Sequence, residues 1–272
     1  MADSAELIAH VQDTDAFHFP LGLVAKVPQP FEAMGIHLHL TKFMVLELIV
    51  ALLLVAVFVS VARRIASGAR PRGRLWNMLE VMLLFIRDQV ARPAIGRHDA
   101  DRFLPFLWTI FFFILSLNLI GLLPWTGSPT GAMGVTSALA LITFIIVIGA
   151  GMRKYGLVRF WIGQVPHMEL PFVMGIFLRP MIFCLEVLGL LIRHFVLAIR
   201  LFANMFAGHL VLAVIVGFIA ATAPTVLWYG VMPSSVLGAV ALDLLELMVA
   251  FIQAYVFTFL AALFIGMAVH QH

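Results

Sequence analysis

The sequence predicts an all-α polytopic membrane protein, with an amphipathic helix on the membrane surface and a strongly tilted two-helix hairpin in its C-terminal half. Three observations predict it. Hydrophobic residues make up 63% of the 272 and charged residues 11%, whereas soluble chains run about half apolar and about a quarter charged. Two stretches of 21 residues, 103–123 and 132–152, carry no charge. Two later apolar stretches are far longer than one crossing needs. With 17 Lys+Arg and 14 Asp+Glu the chain cannot coat a soluble exterior. The single cysteine, Cys184, excludes an internal disulfide framework and any multi-cysteine metal site. No basic patch interleaved with aromatics points to nucleic acid.

Taken in order, residues 1–41 form an exterior tail, with Asp3, Glu6, Asp13, Asp15 and Glu32 scattered among prolines. It lacks the basic start and apolar core of a cleavable signal peptide. The rest, 42–272, reads as one transmembrane domain. Residues 43–62 are a first span, twenty positions with Glu47 as the one charge. The spans 103–123 and 132–152 follow, each long enough for ~30 Å of hydrocarbon at ~1.5 Å per residue. Between them 122–131 is rich in Pro and Gly and uncharged, a turn at the membrane surface. In 74–92, Arg74, Asn77, Glu80, Arg87 and Asp88 recur at roughly helical spacing, while Leu75, Met78, Leu79, Met82 and Phe85 fill other positions. That pattern predicts a surface amphipathic helix, against the competing reading of an irregular loop.

Charge location sets the orientation. Arg63, Arg64, Arg70, Arg72, Arg74, Arg87, Arg92, Arg97 and Arg102 lie between the first two spans, and Arg153, Lys154 and Arg159 follow the third. Those twelve of seventeen basic residues share one side, and the other side has only Lys26 and Lys42. The positive-inside rule makes the two loops cytoplasmic and places the amino terminus outside, the carboxyl terminus in the cytoplasm.

The second half breaks the spanning rule. A hairpin of about 171–221 and 236–270 is predicted, with turn-rich residues 222–235 between. The proline-free part, 181–221, would measure ~61 Å and the second arm ~52 Å. Upright helices of that length would push apolar side chains into water, so each either breaks into two spans or leans steeply, the first by ~60° from the normal; two consecutive over-long arms joined by an uncharged turn favour the tilted hairpin. Lipid packing alone gives no reason for such a geometry. Wrapping around a partner surface does.

Ionisable residues at bilayer depth cost ~2.5–3.5 kcal/mol on insertion scales and mark functional positions. The hairpin carries Glu186, Arg193, His194, Arg200, His209, Asp243 and Glu246, with Asn204 and Gln253 as polar companions. Glu186, Arg193 and Arg200 are seven and seven apart and share a helix face, with Asn204 one turn on. His209, nine residues after Arg200, looks the opposite way. Asp243, Glu246 and Gln253 form one stripe at i, i+3 and i+10. Arg200 stays protonated and cannot relay protons. It is a fixed cation that favours ionised carboxylates nearby and repels protons from its own position. His209 and Glu246 can both gain and lose a proton, which makes them relay candidates. Plainer readings stand beside these. Glu186 and Arg193 could be a structural ion pair, Arg179 and Arg193 could snorkel to the headgroups, and Asp243 could cap a helix start. His10, His18, His37, His39, His270 and His272 read as surface histidines. His37-Leu-His39 has strand-like ligand spacing but no third ligand nearby, so no metal site is expected.

At Arg200-Leu-Phe-Ala-Asn-Met-Phe-Ala-Gly-His209 the chain resembles the a subunits of F-type ATP synthases, the membrane stators of that rotary motor. Phe103-Leu-Pro-Phe-Leu-Trp, Asn118-Leu-Ile-Gly-Leu-Leu-Pro124, Glu186 and Gln253-Ala-Tyr-Val-Phe support the resemblance, which covers residue 37 onward. It implies a bacterial inner-membrane protein, non-catalytic and without cofactor, clasping a rotating ring of c subunits and contacting the peripheral-stalk b subunits and the rest of the synthase. In the family the arginine matching Arg200 separates two offset aqueous half-channels, through which protons reach and leave the ring carboxylates. Asn204 and Gln253 match positions near that charge, His209 and Glu246 the pair lining the inward path, and Glu186 a position on the exit side. Some members carry the histidine and carboxylate in swapped order. Asp243, Arg193 and His194 are secondary candidates. A proton falling through 100 mV yields ~2.3 kcal/mol, so several are needed per ATP. Two departures are visible. His194-Phe-Val-Leu-Ala replaces the family's frequent proline and small polar residues, which predicts a less kinked helix. Gly121 stands where some members have an acid.

Two other classes fit less well. Secondary transporters show repeated halves, and the Arg200 segment has no internal repeat. A membrane-embedded hydrolase or metalloenzyme needs convergent ligands, yet Arg200 and His209 face opposite ways and no His-x-x-x-His motif is present.

Overall fold

The computed structural model describes residues 16–18, 24–26, 32–33, 36–37, 41–66, 73–123, 126–164 and 172–270. Asp3, Glu6, His10, Asp13, Asp15, His39, Arg70, Arg72, Pro124 and His272 lie outside them. Before the first helix two short antiparallel pairs form, β1 (Ala16–His18) with β2 (Val24–Lys26) and β3 (Glu32–Ala33) with β4 (Ile36–His37). The sequence reading placed no element there, because strands of two or three residues are too short to show an alternating pattern.

After this segment every regular element among the described residues is helical. α1 (Lys42–Ala66) is followed by α2 (Arg74–Phe85), a π turn (Ile86–Ala91) and α3 (Arg92–Ile95). Next come α4 (Ala100–Gly121), a 3-10 turn (Pro129–Gly131), α5 (Met133–Tyr155) and α6 (Leu157–Ile162). The hairpin arms are α7 (Phe172–Thr222) and α8 (Trp228–Val269). Five of these, α1, α4, α5, α7 and α8, are long and apolar enough to cross a membrane. The polytopic all-α class is therefore the observed one, and the three short spans differ from expectation by a few residues at each end. α7 has 51 residues and α8 has 42, about 76 and 63 Å at ~1.5 Å each, twice the hydrocarbon thickness or more.

The surface helix extends further than 74–92, through the π turn to Ile95. α2 buries none of its residues, and Leu75, Met78 and Val81 are exposed, as suits a helix whose apolar side meets lipid. In the π turn Arg87 Nε and Nη2 donate to Asp88 at 3.0 and 3.1 Å, and Arg92 Nη1 donates to the same carboxylate at 2.7 Å. The Arg87 hydrogen bond holds the Asp88 carboxyl below its ordinary range.

Contacts gather the chain into two compact units. The first comprises Met1–Arg72, Phe111–Thr136 and Leu201–Ala254. Within it Phe43, Leu46 and Val50 are the buried apolar side of α1, and Phe58 meets the Phe112 ring edge-on at 5.1 Å. The second comprises Gly73–Ile110, Ser137–Arg200 and Tyr255–His272. Here Trp108 Nε1 donates to Leu83 O at 3.1 Å and Phe85 lies 5.8 Å from Tyr255. Gly156, at φ 84, turns the chain so that α6 folds back, and a side chain at Gly151 would collide with the fully buried Phe160 ring.

The end of α8 is fastened inside the second unit by two bonds, with an ion pair between α5 and the turn before α4 beside them. Tyr155 Oη donates to Val269 O at 2.8 Å, His270 Nε2 to Ile95 O at 2.7 Å, and Lys154 Nζ to Asp99 Oδ2 at 2.7 Å. The Lys154 hydrogen bond, ahead of burial acting the other way, holds the Asp99 carboxyl below its ordinary 3.8. The Asp99 carboxylate is thus ionised at neutral pH, and the bond is lost as acid titrates it below that value. Gly266 lies against the backbone carbonyl of Ala94, where an added Cβ would collide. A Gly266→Ala variant is expected to weaken this attachment by about 1–3 kcal/mol, the usual cost of overpacking. Thermal melting of the purified complex reads it as a lowered transition, and an unchanged one would show that α8 can shift freely.

Candidate functional site

α7 buries one narrow stripe, His194, Leu197, Ala198, Leu201 and Met205. These recur at three- and four-residue spacing and lie on one side. Arg200 falls off that stripe and is half-buried; Glu186, Arg193 and Asn204 flank it on the same side of the helix, so the predicted common face is real. The structural ion pair is not. Among the described residues no salt bridge joins Glu186 to Arg193; the exposed Arg193 places Nη1 3.8 Å from Met267 Sδ. Arg179 is exposed, as the snorkelling reading requires. The helix runs unbroken through Pro180 and through His194–Ile199.

His194 points the other way. It is 4% exposed, between Phe144 at 5.1 Å and Phe264 at 5.0 Å, and its Nδ1 donates to Leu190 O at 2.9 Å. An imidazole so enclosed holds α7 against its neighbours in the second unit.

On α8 the buried stripe begins at Glu246, 7% exposed, and continues through Ala250, Gln253, Ala254 and Phe257. Before Glu246 the arm buries nothing, so this carboxylate is the first side chain the helix takes out of its surroundings. The facing position on α7 is Gly208, and a Cβ added there would overlap Glu246 Oε1. The glycine is needed because the carboxyl occupies the volume a side chain would fill. Next to it, His209 Nε2 is buried, and neither this nitrogen nor Glu246 Oε1 has a hydrogen-bond partner among the described residues. Asp243 is exposed and within electrostatic range of both His209 and Glu246. The first unit therefore brings His209, Asp243 and Glu246 together around Gly208. Asp243 is no cap: α8 starts at Trp228, so Asp243 lies four turns inside the helix.

One turn from Glu246, the Ala250 carbonyl accepts from Asn118 Nδ2 at 3.4 Å. Asn118 Oδ1 accepts from Thr130 Oγ1 at 2.8 Å, and Thr130 pairs with Ser128 Oγ at 2.9 Å. All three side chains are buried. This polar ladder fastens the turn after α4 to the interior of the first unit. Among the described residues no cluster of His, Cys, Asp and Glu could hold a metal ion.

The family model for the ATP synthase A chain matches residues 44–266. The chain belongs to that family. It is 41% identical to the ATP synthase subunit a of Myxococcus xanthus over 97% of its length and 88% of the relative's. It is 40% identical to that of Chloroherpeton thalassium over 98% of its length and 77% of the relative's. It is 36% identical to the "ATP synthase subunit a 2" of Chlorobaculum tepidum over 96% and 72%. Gly121 has its side-chain space taken by Ser128, whose Oγ would stand 2.7 Å from an added Cβ. An acid at that position would displace the polar ladder. Gly208, Ser128 and Thr130 were not singled out from sequence. The available signals were a glycine inside a strongly helical apolar run, which needs a packing reason, and hydroxyls in an uncharged turn facing a span that contains Asn118.

Proposed function

We propose that the chain is the proton-translocating stator of a rotary F-type ATP synthase, a non-catalytic subunit coupling proton flow to rotation of a c-subunit ring. The observation that carries this reading is the Gly208–His209–Asp243–Glu246 cluster in a chain of the ATP synthase A family. A buried carboxyl and a buried imidazole, each with an open hydrogen-bonding atom, can take and pass on protons inside an otherwise apolar hairpin. Protons arriving from outside reach ring carboxylates by way of His209 and Glu246, while Asn204 and Gln253 belong with the charge of Arg200. Arg200 cannot give up its proton, so it conducts nothing and instead draws the ring carboxylate into its ionised form as it passes. That separates an inward half-channel from an exit half-channel, to which Glu186 belongs. The arms of α7 and α8 exceed the bilayer because they follow the curved ring. The amino terminus lies outside and the carboxyl terminus in the cytoplasm, with peripheral-stalk b subunits holding the chain against the ring.

The test is purification of the tagged chain from its own membrane. Recovery with an oligomeric ring of small hairpin subunits, and passive proton flux into vesicles stripped of the catalytic head, is the expected result. A chain recovered alone, or a flux that persists without the ring, would overturn the reading.

A further inference from the structure

At one membrane face the start of α4 and the ends of α5 and α8 surround a cavity of about 450 Å3 inside the second unit. That volume lies in the ~300–1,000 Å3 range of ligand sites. Its lining joins cations to apolar surface: Arg102, Arg153 and Lys154 with Phe103, Ile145 and Val269. The one acid there, Asp99, is occupied by Lys154 at 2.7 Å. The Arg102 and Arg153 guanidiniums form no hydrogen bond or ion pair among the described residues, so two positive charges stand uncompensated beside a greasy wall.

The wall has a direction. Arg153, Gly149, Ile145 and Leu141 follow one another at four-residue spacing, a single ridge of α5. Gly149 is a notch under the arginine, where an added Cβ meets nothing within 4 Å. Below it Ile145 and Leu141 are 59% and 57% exposed, and lead from the charged end toward the middle of the span. A basic pocket between helices at a membrane face, continuous with an apolar track, is complementary to a molecule with an anionic head and a hydrocarbon tail. A soluble anion would use the arginines and leave the notch and track without a role.

We propose that this cavity binds an anionic phospholipid, its phosphate between Arg102 and Arg153 and one acyl chain along Gly149, Ile145 and Leu141. The test uses the intact complex in phosphatidylcholine vesicles containing phosphatidylglycerol with a photoactivatable acyl chain, with crosslinks mapped by peptide mass spectrometry. Labelling is expected on the α5 segment 141–154, and Arg102→Gln with Arg153→Gln is expected to lower it about 30-fold, the factor for two interfacial cations. Gly149→Leu begins to fill the notch, where its Cβ meets nothing within 4 Å, while both arginines keep their charge, and is expected to lower labelling as well. Excess inorganic phosphate is expected to leave it unchanged. Displacement by inorganic phosphate with no effect of Gly149→Leu would identify a free-phosphate site and overturn the proposal. So would equal labelling by a photoactivatable phosphatidylcholine, or labelling indifferent to every substitution, as for lipid merely surrounding the protein. Should the double arginine variant fail to assemble, the Gly149→Leu, phosphate and phosphatidylcholine arms decide alone.

Discussion

Replacing Arg200 with alanine is expected to abolish ATP-driven proton pumping and proton-driven synthesis while the complex still assembles. The reason for both halves lies in where the side chain sits. The residues with which α7 packs are His194, Leu197, Ala198, Leu201 and Met205, and Arg200 is off that stripe. Its truncation therefore removes the charge and leaves the packed stripe of α7 in place. Along the chain no other Asp, Glu, Lys or Arg stands between Arg193, two turns earlier, and Asp243. On the proposed mechanism, a ring carboxylate passing this point is then not drawn into its ionised form, and protons can cross from one half-channel to the other without turning the ring. Arg200→Lys keeps a cation but exchanges a broad planar fork for a compact ammonium, and is expected to retain a small part of the coupling. Pumping is read by dye quenching in vesicles and assembly by recovery of the ring with the tagged chain. Normal coupling in the alanine variant would remove Arg200 from the mechanism.

The spans were legible because bilayer thickness imposes a length, and apolar runs free of charge satisfy it in only one way. α1, α4 and α5 differ from expectation only at their ends for that reason. α8 was less legible. Pro233 and the turn-forming residues around it suggested a start at 236, yet the helix begins at Trp228 and runs through the proline. The neighbouring Ser234 hydroxyl donates to Gly230 O at 2.9 Å and Val231 O at 3.0 Å, and so serves carbonyls beside the break. Such local repair lets helices in membranes tolerate proline. The eight added residues also moved Asp243 from a helix start to the interior, and turned a supposed cap into a neighbour of His209 and Glu246. In the site, periodicity sorted Glu186, Arg193, Arg200 and Asn204 onto one face correctly, because a helix fixes angular positions whatever surrounds it. It could not decide whether Glu186 and Arg193 pair, since the i, i+7 separation leaves the choice to side-chain direction. Nor could it reveal that Gly208 faces Glu246, because a contact between two arms depends on their register, which no single segment encodes.

That contact gives the second large effect. Gly208→Val is expected to reduce passive proton flux through head-free vesicles by at least about tenfold, and His209→Ala with Glu246→Ala by about 100-fold, within the range contributed by positioned acid–base groups. The two act for different reasons, and comparing them separates chemistry from packing. The double alanine variant removes both groups that can hold a proton and leaves the arms in place. The valine variant keeps both groups but puts a branched side chain into the volume of Glu246 Oε1, so the carboxyl must rotate or the arms must part. Adding Glu246→Ala to Gly208→Val relieves the collision. If the valine acts only by forcing the arms apart, this combination regains ring recovery and thermal stability but not flux. If the carboxyl itself carries protons, Glu246→Gln in a glycine-208 background already loses flux at normal stability, because an amide of the same shape cannot be protonated in its place. Flux at the wild-type level in Glu246→Gln would show that the buried carboxyl is structural, and the inward path would then have to be sought along the Asn118–Thr130–Ser128 ladder.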